Sequence, residues 1–237
     1  MSERTFDLNA DLGESFGAYR YGADDEVMPV ITSANVACGF HAGDPATMRA
    51  AVRSALGLGV RIGAHIGLPD KLGFGRREMA ISADDARDYT LYQLGALDAF
   101  VRAERGRMTH VKPHGALYMM ASHDRALADG IASAVSRFDP ALEVYALPGS
   151  ELELAAAEHG LETVPEFFAD RPYRGTEVQM FGWTYEQIGG ADRAADRVRR
   201  MLDDHAFNRV KTICVHSDTR GAADMLRAVR AVIAPAS

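Results

Sequence analysis

Cysteine is scarce in this sequence, which contains only Cys38 and Cys214 among its 237 residues. Two cysteines are too few for a disulfide framework, and a chain of this length can bury a core without one. The sequence also lacks an apolar run near the roughly 20 residues that a membrane-spanning helix needs. The N-terminal segment carries Glu3, Arg4 and Asp7 and has no apolar stretch typical of a secretory signal. These absences predict a cytoplasmic protein without a membrane partner.

An excess of basic residues is also missing, because 26 Lys and Arg stand against 33 Asp and Glu, for a net charge of −7. Binding to nucleic acid needs clustered positive charge, so a broad nucleic-acid-binding face is excluded. The sequence contains neither a P-loop motif nor the Gly-x-Gly-x-x-Gly fingerprint, so no Rossmann or P-loop nucleotide site is indicated.

Short β-rich runs alternate with segments of helical periodicity along the chain. Strands are predicted at residues 5–9, 30–36, 60–64, 109–112, 143–147, 163–168 and 212–215. Helices are predicted at residues 45–58, 83–103, 124–138, 149–158, 192–205 and 222–233. This alternation is typical of βαβ units, and seven or eight such units usually close into a parallel barrel. We therefore predict an α/β fold, with a single β/α-barrel domain over residues 1–237.

Two helix starts have clear capping chemistry. Asp44 before Pro45 predicts an N-cap with proline at the first helical position, and Ser82 followed by acidic residues predicts a second N-cap. The segment 170–190 has the least regular pattern and contains the single tryptophan, Trp183. We interpret it as a long loop over the active-site face.

Ionisable side chains follow every predicted strand except the fifth. In a parallel barrel the loops after the strands converge on one face, which carries the catalytic groups. The side chains on this face are Asp11 and Glu14, His41 and Asp44, His65, Lys112 and His114, Asp170 and Arg171, and His216 and Asp218. Their predicted co-location, rather than any single motif, indicates an active site.

Several of these side chains also have structural explanations. Asp44 is better explained as a helix cap, whereas a functional role is favoured for Asp11. His65 taken alone fits a buried histidine bonded to backbone equally well. Lys112 is harder to explain structurally, because an ammonium group inside a barrel must be paired or solvated. We therefore expect Lys112 to act electrostatically on a substrate.

Two further features leave alternatives open. Cys38 lies near His41 in sequence and could act as a nucleophile, although a cysteine in such a place is more often a small buried hydrophobe. The segment GFGRR at 73–77 resembles an anion-binding loop, in which Arg76 and Arg77 would suit a carboxylate or phosphate. A solvated basic turn explains this segment equally well.

Three long motifs resemble the LamB/YcsF family: DLNADLGE at 7–14, ANVACGFHAGD at 34–44 and VKPHGALY at 111–118. The similarity continues through GAH at 63–65, GFGRR at 73–77, ADR at 169–171 and TICVH at 212–216, so it covers nearly the whole chain. The resemblance implies a seven-stranded parallel β/α barrel of the glycoside hydrolase/deacetylase type. It also implies ATP-dependent hydrolytic opening of a lactam, 5-oxo-L-proline, to L-glutamate, with the B and C subunits of a 5-oxoprolinase as partners.

The family's catalytic set falls, by this resemblance, on Asp11, Glu14, His41, His65, Lys112, His114 and Asp170. Substrate binding is predicted for Asn9, Asn35, Arg76, Arg77, Arg171 and His216. The expected cofactor is ATP with Mg²⁺. In the mechanism that we expect, Lys112 and an arginine offset negative charge on the phosphorylated lactam. Asp11 or Glu14 activates water, and His114 or His41 protonates the leaving nitrogen.

Two other functions remain open from the sequence. A metal-dependent hydrolase or deacetylase, acting on a C–N bond or a carbohydrate, would bind Zn²⁺ through Asp11, His41 and His65. This hypothesis ranks second, because the chain has no tight metal-binding spacing such as His-Glu-x-x-His. A noncatalytic ligand-binding subunit would instead need an exposed apolar patch for its partners. The sequence also leaves open whether the chain forms a homo-oligomer.

Overall fold

The computed structural model describes residues 5–234 of the chain. Its strands are β1 (Asp7–Leu12), β2 (Ser33–Ala37), β3 (Arg61–Ile66), β4 (Met108–Pro113), β5 (Glu143–Ala146), β6 (Thr163–Phe168), β7 (Tyr173–Arg174), β8 (Glu177–Val178) and β9 (Thr212–Cys214). A closed barrel forms in the order β1-β2-β3-β4-β5-β6-β9, with every pairing parallel. The predicted seven-stranded parallel barrel is confirmed.

Helices surround the barrel and cover its outer face. They are α1 (Asp24–Val27), α2 (Pro45–Leu58), α3 (Ala83–Ala103), α4 (Gly115–His123), α5 (Arg125–Phe138), α6 (Glu151–Glu158), α7 (Tyr185–Ile188), α8 (Ala191–Asp203) and α9 (Ala222–Ile233). In α5, Leu127, Ile131 and Val135 recur at every fourth position and are buried, which gives the apolar stripe that a core-facing helix needs. None of the helices within residues 5–234 is long and apolar enough to cross a bilayer.

The predicted helix caps are present. The Asp44 carboxylate accepts a hydrogen bond from the Thr47 amide at 2.8 Å, and Pro45 occupies the first helical position of α2. Ser82 and Asp85 form a reciprocal capping box at the start of α3. The helix predicted from residue 149 begins at Glu151, because the Ser150 side chain accepts from the Glu153 amide and caps it.

Some predicted boundaries are wrong in ways that affect the site. Strand β1 extends to Leu12 instead of ending at residue 9, so Asp11 belongs to the strand. Helix α4 was missed, because Pro113 and Gly115 suggest a loop. Gly115 makes this helix start possible, since its φ is +53° and a Cβ there would lie 2.7 Å from the Gly75 carbonyl oxygen.

The prediction that residues 170–190 form a long loop is also wrong in part. The segment contains the antiparallel pair β7 and β8 and the short helix α7, which begins with a capping box between Thr184 and Gln187. Strands of two residues and a helix of four are too short to show a hydrophobic period, so the sequence pattern does not reveal them.

Candidate active site

The barrel interior is filled by polar side chains bonded to one another. At the N-terminal end of the strands, the Asp7 carboxylate accepts hydrogen bonds from Ser33, Thr212 and Tyr145. Burial by itself would raise the pKa of Asp7, but the hydroxyl donors, led by Ser33, hold it below its ordinary value. Asp7 is therefore ionised and fixed, which anchors the base of the network.

Asn9 and Asn35 form the next layer toward the C-terminal ends of the strands. Asn9 donates to Glu166 at 2.9 Å, and Asn35 donates to Asn9 at 2.8 Å and to Asp11 at 2.9 Å. Both side-chain amides are buried, and their N–H groups donate hydrogen bonds to other side chains of the protein. Asn9 and Asn35, predicted as substrate-binding residues, therefore lie beneath the site and hold the ionisable groups above them.

Lys112 of β4 stands at the centre of the barrel, 1% exposed. Its Nζ lies 2.9 Å from Glu166 Oε1, 3.2 Å from Asp11 Oδ1 and 3.0 Å from Cys214 Sγ. Burial would lower the pKa of this ammonium, but Asp11, Cys214 and Glu166 hold it well above its ordinary value. Lys112 is a charged lysine with buried partners, as its sequence position requires.

Asp11 and Glu14 follow one another closely in sequence but have opposite pKa shifts. Burial would raise the pKa of Asp11, yet His65 and Lys112 hold it well below the usual value. The pKa of Glu14 is well above its usual value, because of burial and then the Asp11 charge. Two carboxyls whose pKa values are driven apart are a common feature of acid–base sites.

Three histidines surround Glu14. The His41 and His114 rings stack in parallel with centroids 3.8 Å apart, and His65 meets both edge-on. Their contacts with Glu14 Oε1 are 3.3 Å for His41, 3.5 Å for His114 and 4.0 Å for His65. Burial is the main reason that the pKa values of His41 and His114 are well below the usual value, so both rings are neutral near pH 7.

Asp170 and His216 form a second arrangement on the same face. Both Asp170 oxygens lie 3.1 Å from His216 Nδ1, and Arg171 donates to Asp170 at 2.7 Å. Burial would raise the pKa of Asp170, but Arg171 and His216 hold it low. His216 Nε2 lies 3.8 Å from Asp11 Oδ2, so the second ring nitrogen points toward the Asp11 carboxylate.

A small central cavity joins these groups to a larger groove. The cavity, of about 20 Å³, is lined by Asp11, His65, Arg76, Lys112, Pro113, His114, Gly115, Tyr118, Phe168, Arg171, Met180, Phe181 and His216. The adjoining groove, of about 440 Å³, shares Arg76, Arg171, Met180 and Phe181 with it. Trp183, Tyr185 and Arg220 line the outer part of this groove. The cavity has room for water, and the groove has room for a small ligand.

Arg76 and Arg77 are separated by the fold. Arg76 lines both the cavity and the groove, with its guanidinium 2.7 Å from Asp218. Arg77 pairs instead with Asp70 and does not line the cavity. Of these two adjacent arginines, both predicted to bind substrate, only Arg76 lies at the site.

Neither cysteine is in a reactive environment. Cys38 is buried, its Sγ lies 3.2 Å from the Val36 carbonyl oxygen, and burial raises the pKa of its thiol to about 12. Burial likewise raises the pKa of Cys214, in spite of the nearby Lys112. The structure favours a packing role for Cys38 over a nucleophilic one.

Two residues of this network were missed in the sequence. Glu166 Oε1 makes the shortest ionic contact with Lys112. The Tyr118 hydroxyl donates a hydrogen bond to the other carboxylate oxygen of Glu166, at 3.0 Å. The sequence feature that could have revealed Glu166 is its position as an acidic residue between Pro165 and Phe167, inside a strand that is otherwise uncharged. Tyr118 lies one turn into α4, the helix that the sequence pattern did not reveal.

Within residues 5–234, buried histidine, cysteine and acidic side chains form two groups that could hold a metal ion. One group is Glu14, His41, His65 and His114, and the other is Asp11, Cys214 and His216; in each group the ligand atoms lie within 4.8 Å of one another. The set predicted for Zn²⁺ was Asp11, His41 and His65. The structure places Glu14 and His114 with the two histidines, and Asp11 in the group with Cys214 and His216. Asp11 Oδ1 also lies 3.4 Å from His65 Nε2.

Comparison with known proteins gives concordant results. The model of the LamB/YcsF family matches residues 6–237. A Bacillus cereus protein, named as the A subunit of 5-oxoprolinase, is 50% identical over 230 residues, 92% of this chain and 90% of its own length. A Brevibacillus brevis protein of the same name is 48% identical, and the match covers 98% of this chain and 96% of that protein. The crystal structure of a lactam utilization protein from Thermus thermophilus matches this chain with a TM-score of 0.88 at 44% identity. The match covers 97% of this chain and 96% of that protein.

Proposed function

The chain belongs to the LamB/YcsF family, and we propose that it is the A subunit of a 5-oxoprolinase. In this proposal it opens 5-oxo-L-proline hydrolytically to L-glutamate in the cytoplasm, driven by ATP, with the B and C subunits as partners. One observation carries the proposal: buried Asp11, Lys112 and His216 line a water-sized cavity that opens into an arginine-lined groove. The names of the similar proteins supply the lactam.

The sizes of the two spaces indicate how a lactam would sit. A ring with a carboxylate cannot enter about 20 Å³, whereas the groove of about 440 Å³ accepts it. Arg76 and Arg171 lie where the two spaces meet, and a guanidinium suits a carboxylate or a phosphoryl group. We therefore place the ring in the groove, with its amide carbon at the cavity mouth and the attacking water inside.

A lactam is a poor electrophile, so opening it requires activation. Transfer of the γ-phosphoryl group from Mg²⁺-ATP to the lactam oxygen would give an activated amide carbon and ADP. Addition of one water and cleavage of the ring C–N bond would leave an acyl phosphate, which a second water hydrolyses to glutamate and phosphate. Arg76, Arg171 and Lys112 would stabilise the negative charge in these steps.

Asp11 is the best candidate for the base that activates water. It lines the cavity and is held ionised by the charge of Lys112. A positioned general base contributes a factor of about 10²–10⁴ in rate.

His216 is the best candidate for the proton donor to the leaving nitrogen. Its Nε2 faces Asp11, while Asp170 orients the ring through Nδ1, which is the arrangement of an oriented acid–base histidine. We prefer it to His114, because His216 Nδ1 is bonded to the Asp170 carboxylate, whereas His114 Nε2 is bonded to the uncharged Phe74 carbonyl oxygen at 2.8 Å.

The proposal is tested by measuring 5-oxoproline-dependent ATP hydrolysis and glutamate release with B and C subunits, with and without this chain. We expect both products only when all three subunits are present. Lactam hydrolysis by the chain without ATP would favour the metal-dependent hydrolase instead. Full activity in an Asp11→Asn variant with native stability would favour a noncatalytic role.

A further inference from the structure

The imidazoles of His65 and His114 face each other through one nitrogen each, while the other nitrogen of each ring faces a backbone carbonyl oxygen. His65 Nδ1 lies 3.0 Å from the Lys112 carbonyl oxygen, and His114 Nε2 lies 2.8 Å from the Phe74 carbonyl oxygen. A carbonyl oxygen only accepts, so each of these nitrogens carries a proton. The remaining nitrogens, His65 Nε2 and His114 Nδ1, lie 3.0 Å apart.

The 3.0 Å contact needs a cation between the two nitrogens, because each ring already donates an N–H to a carbonyl oxygen. That cation is either a second proton on one ring or a metal ion, and His65 Nε2 also lies 3.4 Å from Asp11 Oδ1. A histidine whose other N–H is bonded to a carbonyl is the usual form of a metal ligand.

A third donor lies at the same point. Glu14 Oε1 lies 3.5 Å from His114 Nδ1 and 4.0 Å from His65 Nε2. The His41 ring stacks in parallel on His114 with centroids 3.8 Å apart, so it cannot share an ion in the plane of the His114 ring and instead contacts Glu14 Oε1 at 3.3 Å. Ligands at about 2.0–2.1 Å from a tetrahedral ion are about 3.3–3.4 Å apart, so the separations among Glu14, His65 and His114 require only small adjustments.

We propose that Glu14, His65 and His114 bind one divalent transition-metal ion, with Zn²⁺ as the best fit. Two imidazoles and one carboxylate suit zinc and leave a fourth position open for water, whereas Mg²⁺ prefers oxygen ligands. The ion adjoins the central cavity, because His65 and His114 also line it.

Glycines make this crowded geometry possible. A Cβ at Gly75 would lie 2.6 Å from the Cβ of His41 and 2.9 Å from Cδ2 of His114, and φ at Gly75 is +64°. A Cβ at Gly67 would collide with the His41 ring. The backbone therefore approaches the stacked histidines closely from two sides, which holds the rings in place without further hydrogen bonds to His41 Nδ1.

The test is metal binding by the full chain, stripped with a chelator and then titrated with Zn²⁺ against a competing indicator. Co²⁺ is titrated in parallel, and its visible absorption reports tetrahedral geometry. We expect about one ion per chain and a tetrahedral cobalt spectrum. Loss of a residue that only orients a metal ligand lowers metal affinity by about 10–100-fold, so the ligand variants Glu14→Gln and His114→Gln should lose at least that much.

Two controls make the result specific. His216→Gln removes a buried histidine from the other candidate group, and His159→Gln removes a histidine of the helix surface. Both should keep wild-type metal affinity. Absence of tight binding, unchanged affinity in folded Glu14→Gln, or loss of binding in His216→Gln would each overturn the proposal. Because binding is measured without substrate, the outcome is independent of the lactam reaction.

Discussion

Lys112 and Glu166 form an ion pair beneath the cavity, with Nζ 2.9 Å from Oε1 and both side chains almost completely buried. Neither residue can be solvated if its partner is lost, so the pair links the stability of the barrel to the charge at the site. Asp11 is the second anion at this lysine, and His65 and Lys112 together explain why the Asp11 carboxylate stays ionised in a dry interior.

Removing one member of this pair is expected to destabilise the fold. We predict that Glu166→Ala lowers the free energy of unfolding by about 3–5 kcal/mol, because a buried charge loses a partner. The double variant Lys112→Met, Glu166→Gln should recover part of that loss, since it removes both charges. Urea unfolding of the single and double variants measures the difference. A loss below about 1 kcal/mol in Glu166→Ala would contradict the prediction.

The two neighbouring arginines provide a matched comparison of site and surface. We predict that Arg76→Gln lowers kcat/KM for the reconstituted enzyme by about 10–100-fold, the effect of losing a charge-assisted hydrogen bond. Arg77→Gln should leave kcat/KM nearly unchanged, because Arg77 pairs with Asp70 outside the cavity. Steady-state kinetics with varied lactam and varied ATP measure both. Equal losses in the two variants would show that the cavity is misassigned.

Asp170 is expected to act through His216. We predict that Asp170→Asn lowers kcat by about 10²-fold or more with little change in KM, because the imidazole loses its orienting carboxylate. The double variant with His216→Gln should be no slower than His216→Gln alone, as for residues that act as a unit. Additive losses would instead indicate separate roles, and thermal unfolding of each variant controls for misfolding.

Asp44 is predicted to contribute to stability as a helix cap that also accepts a hydrogen bond from the Gly17 amide. Asp44→Ala should lower the free energy of unfolding by about 1 kcal/mol, whereas Asp44→Asn should nearly preserve it, since asparagine caps equally well. Hydrogen bonds from Thr47 and Gly17 lower the pKa of Asp44 from 3.8 to about 2.

The direction of that shift determines the pH dependence. The carboxylate contributes fully above the ordinary pKa of 3.8, and its contribution is lost as the pH falls toward about 2. The difference between wild type and Asp44→Ala should therefore shrink below pH 3.8. Denaturant unfolding at a series of pH values measures it, and a difference that grows on acidification would be the contrary result.

The sequence by itself determined the barrel, because a strand and a helix each impose their own period on the apolar residues. It also located the ionisable groups, since in a parallel barrel every side chain after a strand must reach the same face. Asp11, Lys112 and His114 were found in this way, from their positions along the chain alone.

Only the tertiary structure decided which of these groups touch. Asp11 and Glu14 are three positions apart, yet one is held ionised by Lys112 and the other is pushed toward its neutral form by burial. Arg76 and Arg77 are adjacent, yet they pair with acids from different segments. Pairing distances and desolvation arise from strands brought together across the barrel, and a linear pattern contains neither.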